Sequence, residues 1–478
     1  MAGPVAAAVV SRRASDRLRA GHGWVYRSDI EQLLPPAGEV RTDQDQAGAA
    51  TQDQAGAGIE PHKTELATGV NSADELSPGT LATVLDNRGI PLGTALYSSA
   101  SQIALRMIST EAMLGRDGFL TLIRERVAAA LAYRDGLLAD AAGATDACRL
   151  IFSEADGLPG VIVDRYAGLV ILQLLTQGMA AEDVRAAVLH ELRRHAERHQ
   201  HDSLRPHFDS AAARSLTIWE RPDARIREIE QLPAPAPGPL FASNHSPESI
   251  AIFKLNGLGF HYDVNSGQKT GAFLDQRENY AAAARHTAAG LAAGGLGATG
   301  GDALDICTNQ GGFALHLARV CRRVTGVDAS RAALEVAERN LELNSAQLID
   351  AGAGVDWIEA NAFELLRDYE ATGHRFDAIV LDPPAFAKSK RAAEGALRGY
   401  KEMNLRALKM LRPGGTLITC SCSHHVSLEE FTGVVAAAAS DAHRTVRLLE
   451  TRGASLDHPA ILTLPETSYL KCLICRAV

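Results

Sequence analysis

The chain has 478 residues, 46% of them hydrophobic and 22% charged, with a formal net charge of −9. That length predicts two to four domains at roughly 150 residues each, the composition is that of an ordinary soluble globular protein, and the net charge does not advertise nucleic-acid binding; no run approaches the ~20 apolar residues of a bilayer span. Seven scattered cysteines, an odd number, argue against a disulfide framework. With the short Val5–Val10 run followed by arginines rather than a cleavage site, the reading is a cytoplasmic protein.

Residues 1–32 contain a basic amphipathic helix and the aromatic strand Gly23-Trp24-Val25-Tyr26. Within the first 27 residues five arginines (Arg12, Arg13, Arg17, Arg19, Arg27) stand against one acid, Asp16, which gives a basic face compatible with RNA or with plain solvation. From Pro35 to about Asp74 the chain turns rich in Ala, Gly, Gln, Asp and Thr, with the near-repeat Asp45–Ala49 and Asp53–Ala57. It has too little apolar surface to order itself and reads as a disordered insertion. Period-2 runs then resume at 79–86, 91–97 and 103–108, separated by turns, as in a small β-barrel.

Gly118–Leu138 reads as an amphipathic helix. Strands are expected at 149–152, 160–166, 170–175 and 215–220, with a helix from Ala181 to His195 and a short one opened by Pro222. The histidines from His195 to His207 lack a second ligand cluster, so no metal site is expected; the lone Cys472/Cys475 pair reads as strand packing. Pro233–Pro239 is a linker. A strand pair from Ile250 leads to Thr270–Arg277. Thereafter strands at 303–307, 322–327, 354–358, 376–381, 415–421, 444–450 and 468–476 alternate with helices at about 312–320, 330–343, 361–370, 393–411 and 427–440. Such alternation requires a parallel sheet covered on both faces. The last strand follows without a full helix and is expected to insert antiparallel.

Four loops leave the carboxyl ends of these strands, where an α/β sheet binds its ligand. In the first, Asp305 to Ala318, a double glycine (Gly311, Gly312) lets backbone approach a nucleotide-type cofactor ahead of Phe313 and a helix N-terminus. The second carries Asp328, suited to a ribose with two free hydroxyls, followed by Ser330 as a helix cap. The third carries Asn361, which either reaches an adenine edge or caps the next helix, and Phe363. The fourth is Asp382-Pro383-Pro384-Ala385-Phe386, whose prolines fix the backbone so that Asp382 projects into the cleft, as suits a planar base or amine. The strand ending Thr419-Cys420-Ser421-Cys422 places a thiol beside that loop. Alternation puts both cysteines on one face, with Cys422 nearer the cleft and Cys420 buried.

Together, Asp382–Phe386, Thr419–Ser423, Phe273-Leu274-Asp275-Gln276-Arg277 and Pro465-Glu466 with Tyr469-Leu470-Lys471 resemble the class I S-adenosylmethionine-dependent methyltransferases. More narrowly, they resemble the bacterial 23S ribosomal RNA cytosine-5 methyltransferases. The likeness extends to Gly23–Tyr26, Ser98–Ile103, Ser153–Gly160 and Arg398–Lys401 and omits only 35–74. It implies an α/β chain in which a Rossmann-like seven-stranded methyltransferase domain (250–478) follows a PUA-like RNA-binding barrel (1–112), a central α/β module (113–232) and a linker (233–249). It implies S-adenosyl-L-methionine as cofactor, held by Asp275, Gln276, Arg277, Asp305, Gly311, Gly312, Phe313, Asp328, Asn361 and Asp382. It further implies Cys422 as nucleophile with Asp382 as its catalytic companion on the base, no metal, and 23S ribosomal RNA as partner, with a second copy of the chain as a further candidate. Where the family has an aromatic-Thr pair before the double glycine, this chain has Asn309-Gln310; where an acid commonly follows the third strand it has Asn361; and Cys420 is an added thiol while the proline loop carries Ala385. An exocyclic-amine RNA methyltransferase and a non-catalytic ribosome-assembly factor on the same scaffold are the alternatives.

Overall fold

The structure is a computed structural model; it describes residues 6–36, 76–139, 143–200, 215–244, 247–265, 271–296, 300–350, 352–387 and 390–478. The acidic Ala- and Gly-rich insertion lies outside these residues, save Pro35 and Pro36, as do His201 and His207 of the histidine run. Contacts group the chain into two compact units. One comprises Met1–Leu122, Thr176–Val184 and Arg225–Pro233; the other comprises Ile123–Leu175, Arg185–Ala224 and Ala234–Val478.

In the first unit six strands form one sheet in the order Trp24–Tyr26, Ile103–Ser109, Pro91–Tyr97, Leu81–Leu85, Ala7–Val10, Ile30–Leu34. The two strands at opposite ends of this order are joined by the three-residue turn Arg27–Asp29. Three residues reach only ~10 Å, so the sheet must curl until its ends approach, which makes it a small barrel. Val10, Ala14, Val25, Val84 and Leu105 fill it. Ala7–Val10 is a strand that sequence pattern did not disclose; it pairs parallel with Leu81–Leu85. Ser11 then caps the helix Arg12–Arg19, its hydroxyl accepting from the Ala14 N–H at 3.2 Å. Arg17 donates to the nearly buried Asp29 at 2.6 Å.

The second unit has two sheets and a hairpin. The smaller sheet runs Phe241–Ala242, Thr217–Glu220, Leu169–Leu174, Val161–Tyr166, Ala147–Phe152. The hairpin Ile250–Leu255 with Leu258–Asp263 packs against it by stacking Tyr262 on Tyr166, ring centroids 4.2 Å apart. The larger sheet has seven strands in the order Gly354–Glu359, Arg323–Asp328, Asp302–Ile306, Phe376–Leu381, Leu411–Ser421, Lys471–Ala477, Val446–Arg452. The first five are mutually parallel; Lys471–Ala477 inserts antiparallel between Leu411–Ser421 and Val446–Arg452, as expected. Helices Arg277–Ala293, Gly312–Leu317, Arg331–Leu343, Ala362–Ala371, Ala393–Met410 and Leu428–Asp441 accompany the sheet. Two apolar clusters divide its faces: Ala303, Phe313, Val380, Ile418 and Cys472 belong to one, and Ile306, Ile379, Tyr400, Leu417 and Cys475 to the other. This two-sided burial is why the strands read as continuous apolar runs. The chain reverses order at Asp302–Ile306 and Phe376–Leu381, so a crevice opens above their carboxyl ends.

A buried polar network ties the carboxyl-terminal segment to the smaller sheet. Asp457, fully buried, accepts from the Arg277 guanidinium at 3.1 Å and from the Arg149 backbone N–H at 2.9 Å, and Arg134 donates to its carbonyl at 3.0 Å. Arg134 also pairs with Asp156 at 2.6 Å, and Arg149 grips Asp164 bidentately at 2.8 Å through each nitrogen. Against the opposing effect of burial, the His458 imidazole at 3.1 Å, then the Arg277 guanidinium and the Arg149 N–H, hold the Asp457 carboxyl well below the usual carboxylate range. Among the described residues no His, Cys, Asp or Glu group has the makings of a metal site, and no helix is long and apolar enough to cross a membrane.

Candidate active site

The crevice is a cavity of about 360 Å³, within the ~300–1,000 Å³ of small-molecule sites. Each of the four strand-end loops contributes to its wall. Asp275, Gln276, Gly312, Phe313, Asp328, Asn361, Asp382 and Cys422 all line it. They come from positions as far as 147 residues apart in sequence, brought together because every parallel strand delivers its carboxyl end to the same edge.

The turn after Asp302–Ile306 is bent by three left-handed residues, Cys307 (φ 65°), Asn309 (φ 51°) and Gly311 (φ 82°). Two of these are not glycine, a conformation that costs energy and clusters at functional turns. At Gly311 a Cβ would stand 2.8 Å from the Trp357 ring, and at Gly312 it would meet Tyr280 at 2.4 Å, so neither position admits a side chain without rearrangement. Asp305 and Gly311 are not on the cavity wall. Asp305 is wholly buried behind the turn, where Oδ2 accepts from the Thr308 hydroxyl at 2.6 Å and the Ala314 N–H at 2.9 Å. Its other oxygen has no partner, and burial pushes this carboxyl up to about 7. These two residues shape the turn rather than face a ligand.

Asp328 is held by two backbone donors, Asn309 N–H and Ser330 N–H, each at 2.9 Å and each to a different oxygen. A carboxylate oxygen has lone pairs beyond one bond, so the group keeps acceptor capacity toward the cavity. Asn361 caps the helix Ala362–Ala371, its oxygen accepting from Phe363 N–H at 2.9 Å and Glu364 N–H at 3.3 Å. Between the two open alternatives, its oxygen is thus engaged as the cap. Apolar surface comes from Val327, Phe363, Phe386 and Met403. Of the unusual pair, the Asn309 N–H secures Asp328, and the Gln310 side chain reaches the Gly271 carbonyl at 3.3 Å.

Arg277, expected beside the cofactor, turns away from the cavity. Its guanidinium is buried on Asp457 at 3.1 Å and the Ala147 carbonyl, with Glu278 farther off at 3.5 Å, because a buried cation must find a carboxylate. Its neighbour Gln276 does line the cavity, but its amide is engaged within the protein, donating to Asp382 Oδ2 at 3.0 Å. Asp275 accepts from the Tyr469 hydroxyl at 2.5 Å.

Cys420 and Cys422 part company. The strand ends at Ser421, so alternation does not carry to Cys422. Cys420 stays in the apolar core opposite Cys472, its thiol pushed far up by burial. Cys422 reaches the cavity, with Sγ 3.9 Å from the Pro383 carbonyl. The following loop is pinned from two sides. Ser423 bonds the Tyr400 hydroxyl at 2.9 Å, and the buried Lys471 ammonium donates to the Ser423 and Val426 carbonyls at 2.7 and 2.9 Å. Burial draws Lys471 down to about 8, a shift opposed by the charges of Cys422 and Glu430. In the sequence Lys471 belongs only to the terminal Tyr469-Leu470-Lys471 motif; nothing local marks a strand lysine as a clamp on a loop 48 residues earlier.

Residues 286–444 match the family model described as Methyltransferase small domain, and residues 63–110 match that described as PUA-like domain. The chain is 36% identical over 405 residues to the Ribosomal RNA large subunit methyltransferase I of Klebsiella pneumoniae strain 342, covering 84% of this chain and 90% of that protein. It is 35% identical over 403 residues to the protein of the same name from Cronobacter sakazakii, covering 84% and 91%. Among solved structures, a protein described as a SAM-dependent methyltransferase from Streptococcus mutans superposes with a TM-score of 0.68 over 98% of this chain and 99% of that one, at 15% identity. That likeness concerns the fold.

Proposed function

The chain belongs to the family of ribosomal RNA large subunit methyltransferases, and from that premise we propose that it methylates C5 of a cytosine in 23S ribosomal RNA through a covalent adduct with Cys422. The observation that carries this reading is the meeting of Cys422, Asp382 and the Pro383 carbonyl on one cavity wall. We assign the division into barrel (1–112), central module (113–232), linker (233–249) and methyltransferase domain (250–478) as its working organisation in the cytoplasm. The basic helix Arg12–Arg19 lies in the barrel.

The cavity fits S-adenosylmethionine. Asp328 offers acceptors to a ribose, Phe363 and Val327 offer apolar surface to an adenine, and the turn before Gly312 presents backbone that no side chain covers, since a Cβ there would strike Tyr280. Bound there, S-adenosylmethionine supplies an electrophilic methyl group. Cytosine C5 is too weak a nucleophile to accept it unaided. The Cys422 thiolate adds to C6, which moves electron density to C5 and makes that carbon the attacking atom. Asp382 receives the amine edge of the base and steadies the ring during addition. Once C5 carries its methyl group, loss of the C5 proton to a base and expulsion of the thiolate restore the aromatic ring. The base must leave any stack to reach this wall. Lys471 keeps the loop after Cys422 from drifting.

The test is incubation of unmodified 23S ribosomal RNA with labelled cofactor, followed by nucleoside mapping, for the native chain and Cys422→Ala. The expected result is 5-methylcytidine from the native chain and none from the variant, with cofactor binding retained in calorimetry. A fully active Cys422→Ala, or a methyl group mapped to an exocyclic amine, overturns the covalent reading.

A further inference from the structure

Gln276 lines the cavity, yet its amide is committed to other protein groups. Its Nε2 donates to Asp382 Oδ2 at 3.0 Å, and its Oε1 accepts from Asn279 Nδ2 at 2.6 Å. Asn279 in turn accepts at Oδ1 from Arg452 Nε at 2.7 Å and donates through Nδ2 to the Gly453 carbonyl at 3.0 Å. Gln276 and Asn279 are 3% and 1% exposed, so water does not compete for these bonds.

An amide's oxygen and nitrogen are distinguished by their hydrogen-bond partners. Here the partners leave no choice. A guanidinium only donates, so the atom facing Arg452 must be the Asn279 oxygen. A carbonyl only accepts, so the atom facing Gly453 must be the Asn279 nitrogen. That nitrogen's second hydrogen therefore points to Gln276, which must answer with its oxygen and turn its own N–H₂ toward Asp382. The direction of every donor is set from the Arg452 end, three side chains from the carboxylate.

We propose that Arg452 and Asn279 are positioning residues that, through Gln276, hold Asp382 as a hydrogen-bond acceptor and so select a base edge bearing an amine over one bearing a carbonyl. A carboxylate accepting from Gln276 meets the N4 amine of cytosine as a donor. It meets the O4 of uracil lone pair to lone pair, an arrangement that is repulsive. The inference rests on the reading that Asp382 faces the target base. It reassigns Gln276 from cofactor contact to orienting group.

Among the described groups, Tyr280, Cys307 and Cys420 feel Asp382 from the surrounding elements, and Cys422 shares the cavity wall. Burial pushes Tyr280, Cys307 and Cys420 upward, so they stay neutral through the neutral range. A carboxylate placed at position 276 then perturbs Asp382 directly, since two carboxylates about 3 Å apart share a proton.

The experiment uses the full chain and a 23S ribosomal RNA transcript carrying either cytidine or uridine at the mapped target. Rates are measured from about pH 5 to 9, with thermal melting and S-adenosylmethionine calorimetry as controls. Gln276→Glu is expected to move the acidic limb of kcat/KM upward by at least about one pH unit. Asn279→Asp cannot donate to Gln276; it is expected to lower kcat on cytidine roughly tenfold, with cofactor affinity within about twofold of native. Native-like pH profiles and rates in both variants overturn the relay while leaving Asp382 as base reader, provided Asp382→Asn is inactive. A fully active Asp382→Asn removes the premise instead. Should Gln276→Glu fail to fold, the kcat of Asn279→Asp decides alone.

Discussion

Gln276 and Arg277 are consecutive residues that serve two different regions. Gln276 faces the cavity and bonds Asp382; Arg277 faces the Asp457 network. In that network each buried charge has an opposite charge at hydrogen-bond distance: Arg134 with Asp156, Arg149 with Asp164, Arg277 with Asp457. Behind the turn that walls the cavity the pattern reverses. The Asp305 Oδ1 and Trp357 Nε1 atoms are buried without a partner, and backbone is held in left-handed conformations at Cys307 and Asn309. Complete pairing makes a structural joint. Incomplete pairing and a strained turn behind a cavity mark where the fold gives up stability to shape a site.

The two regions should break differently. Cys422→Ala is expected to cost on the order of 10⁴-fold or more in methyl transfer, with an unchanged melting temperature; a large loss of stability would merge the two regions. Asp457→Ala should do the opposite. It removes the buried partner of Arg277, leaving only the partly exposed Glu278 at 3.5 Å, and is expected to cost about 3–5 kcal/mol of stability, read as a lowered denaturant midpoint, while the cavity residues stay in place.

Asp305 sharpens the contrast through pH. Its folded-state value, about 7, lies above the ordinary 3.8 because burial disfavours the charge. Its contribution to stability is therefore full below pH ~4 and is lost as pH rises through ~7. Asp305→Asn keeps the acceptor for Thr308 and Ala314 without the charge. Melting of the ligand-free native chain should thus decline from pH 5 to pH 8 more steeply than that of the variant, by up to ~1.4 kcal/mol per pH unit. Parallel melting curves would show that the buried carboxylate carries no stored cost. The smallest effect is at Asn361. Asn361→Ala loses a helix cap, which is expected to cost about 1 kcal/mol by chemical denaturation.

Much of this was legible in the chain. The seven strands and their helices follow from apolar runs alternating with 3.6-period segments, a local signal. Gly311 and Gly312 mark the turn, and Asp382-Pro383-Pro384 marks a fixed backbone, because glycine and proline act on their own dihedrals. Other features were not legible. Ala7–Val10 is four residues long and becomes a strand only because Leu81–Leu85 lies beside it. Cys420 and Cys422 differ in fate because the strand stops between them, at Ser421.

The side-chain partners were hidden for a related reason. Arg277 meets Asp457 across 180 residues, and Gln276 meets Asp382 across 106. The sequence by itself determined the order of elements, the edge of the sheet where ligands gather and the residue types delivered there. Periodicity and backbone dihedrals are properties of a few neighbouring residues. Only the tertiary structure decided which of two adjacent polar side chains joins the cavity and which is buried as half of an ion pair. Charge compensation is settled by whichever partner the fold brings within ~3 Å, and no local pattern encodes that distance.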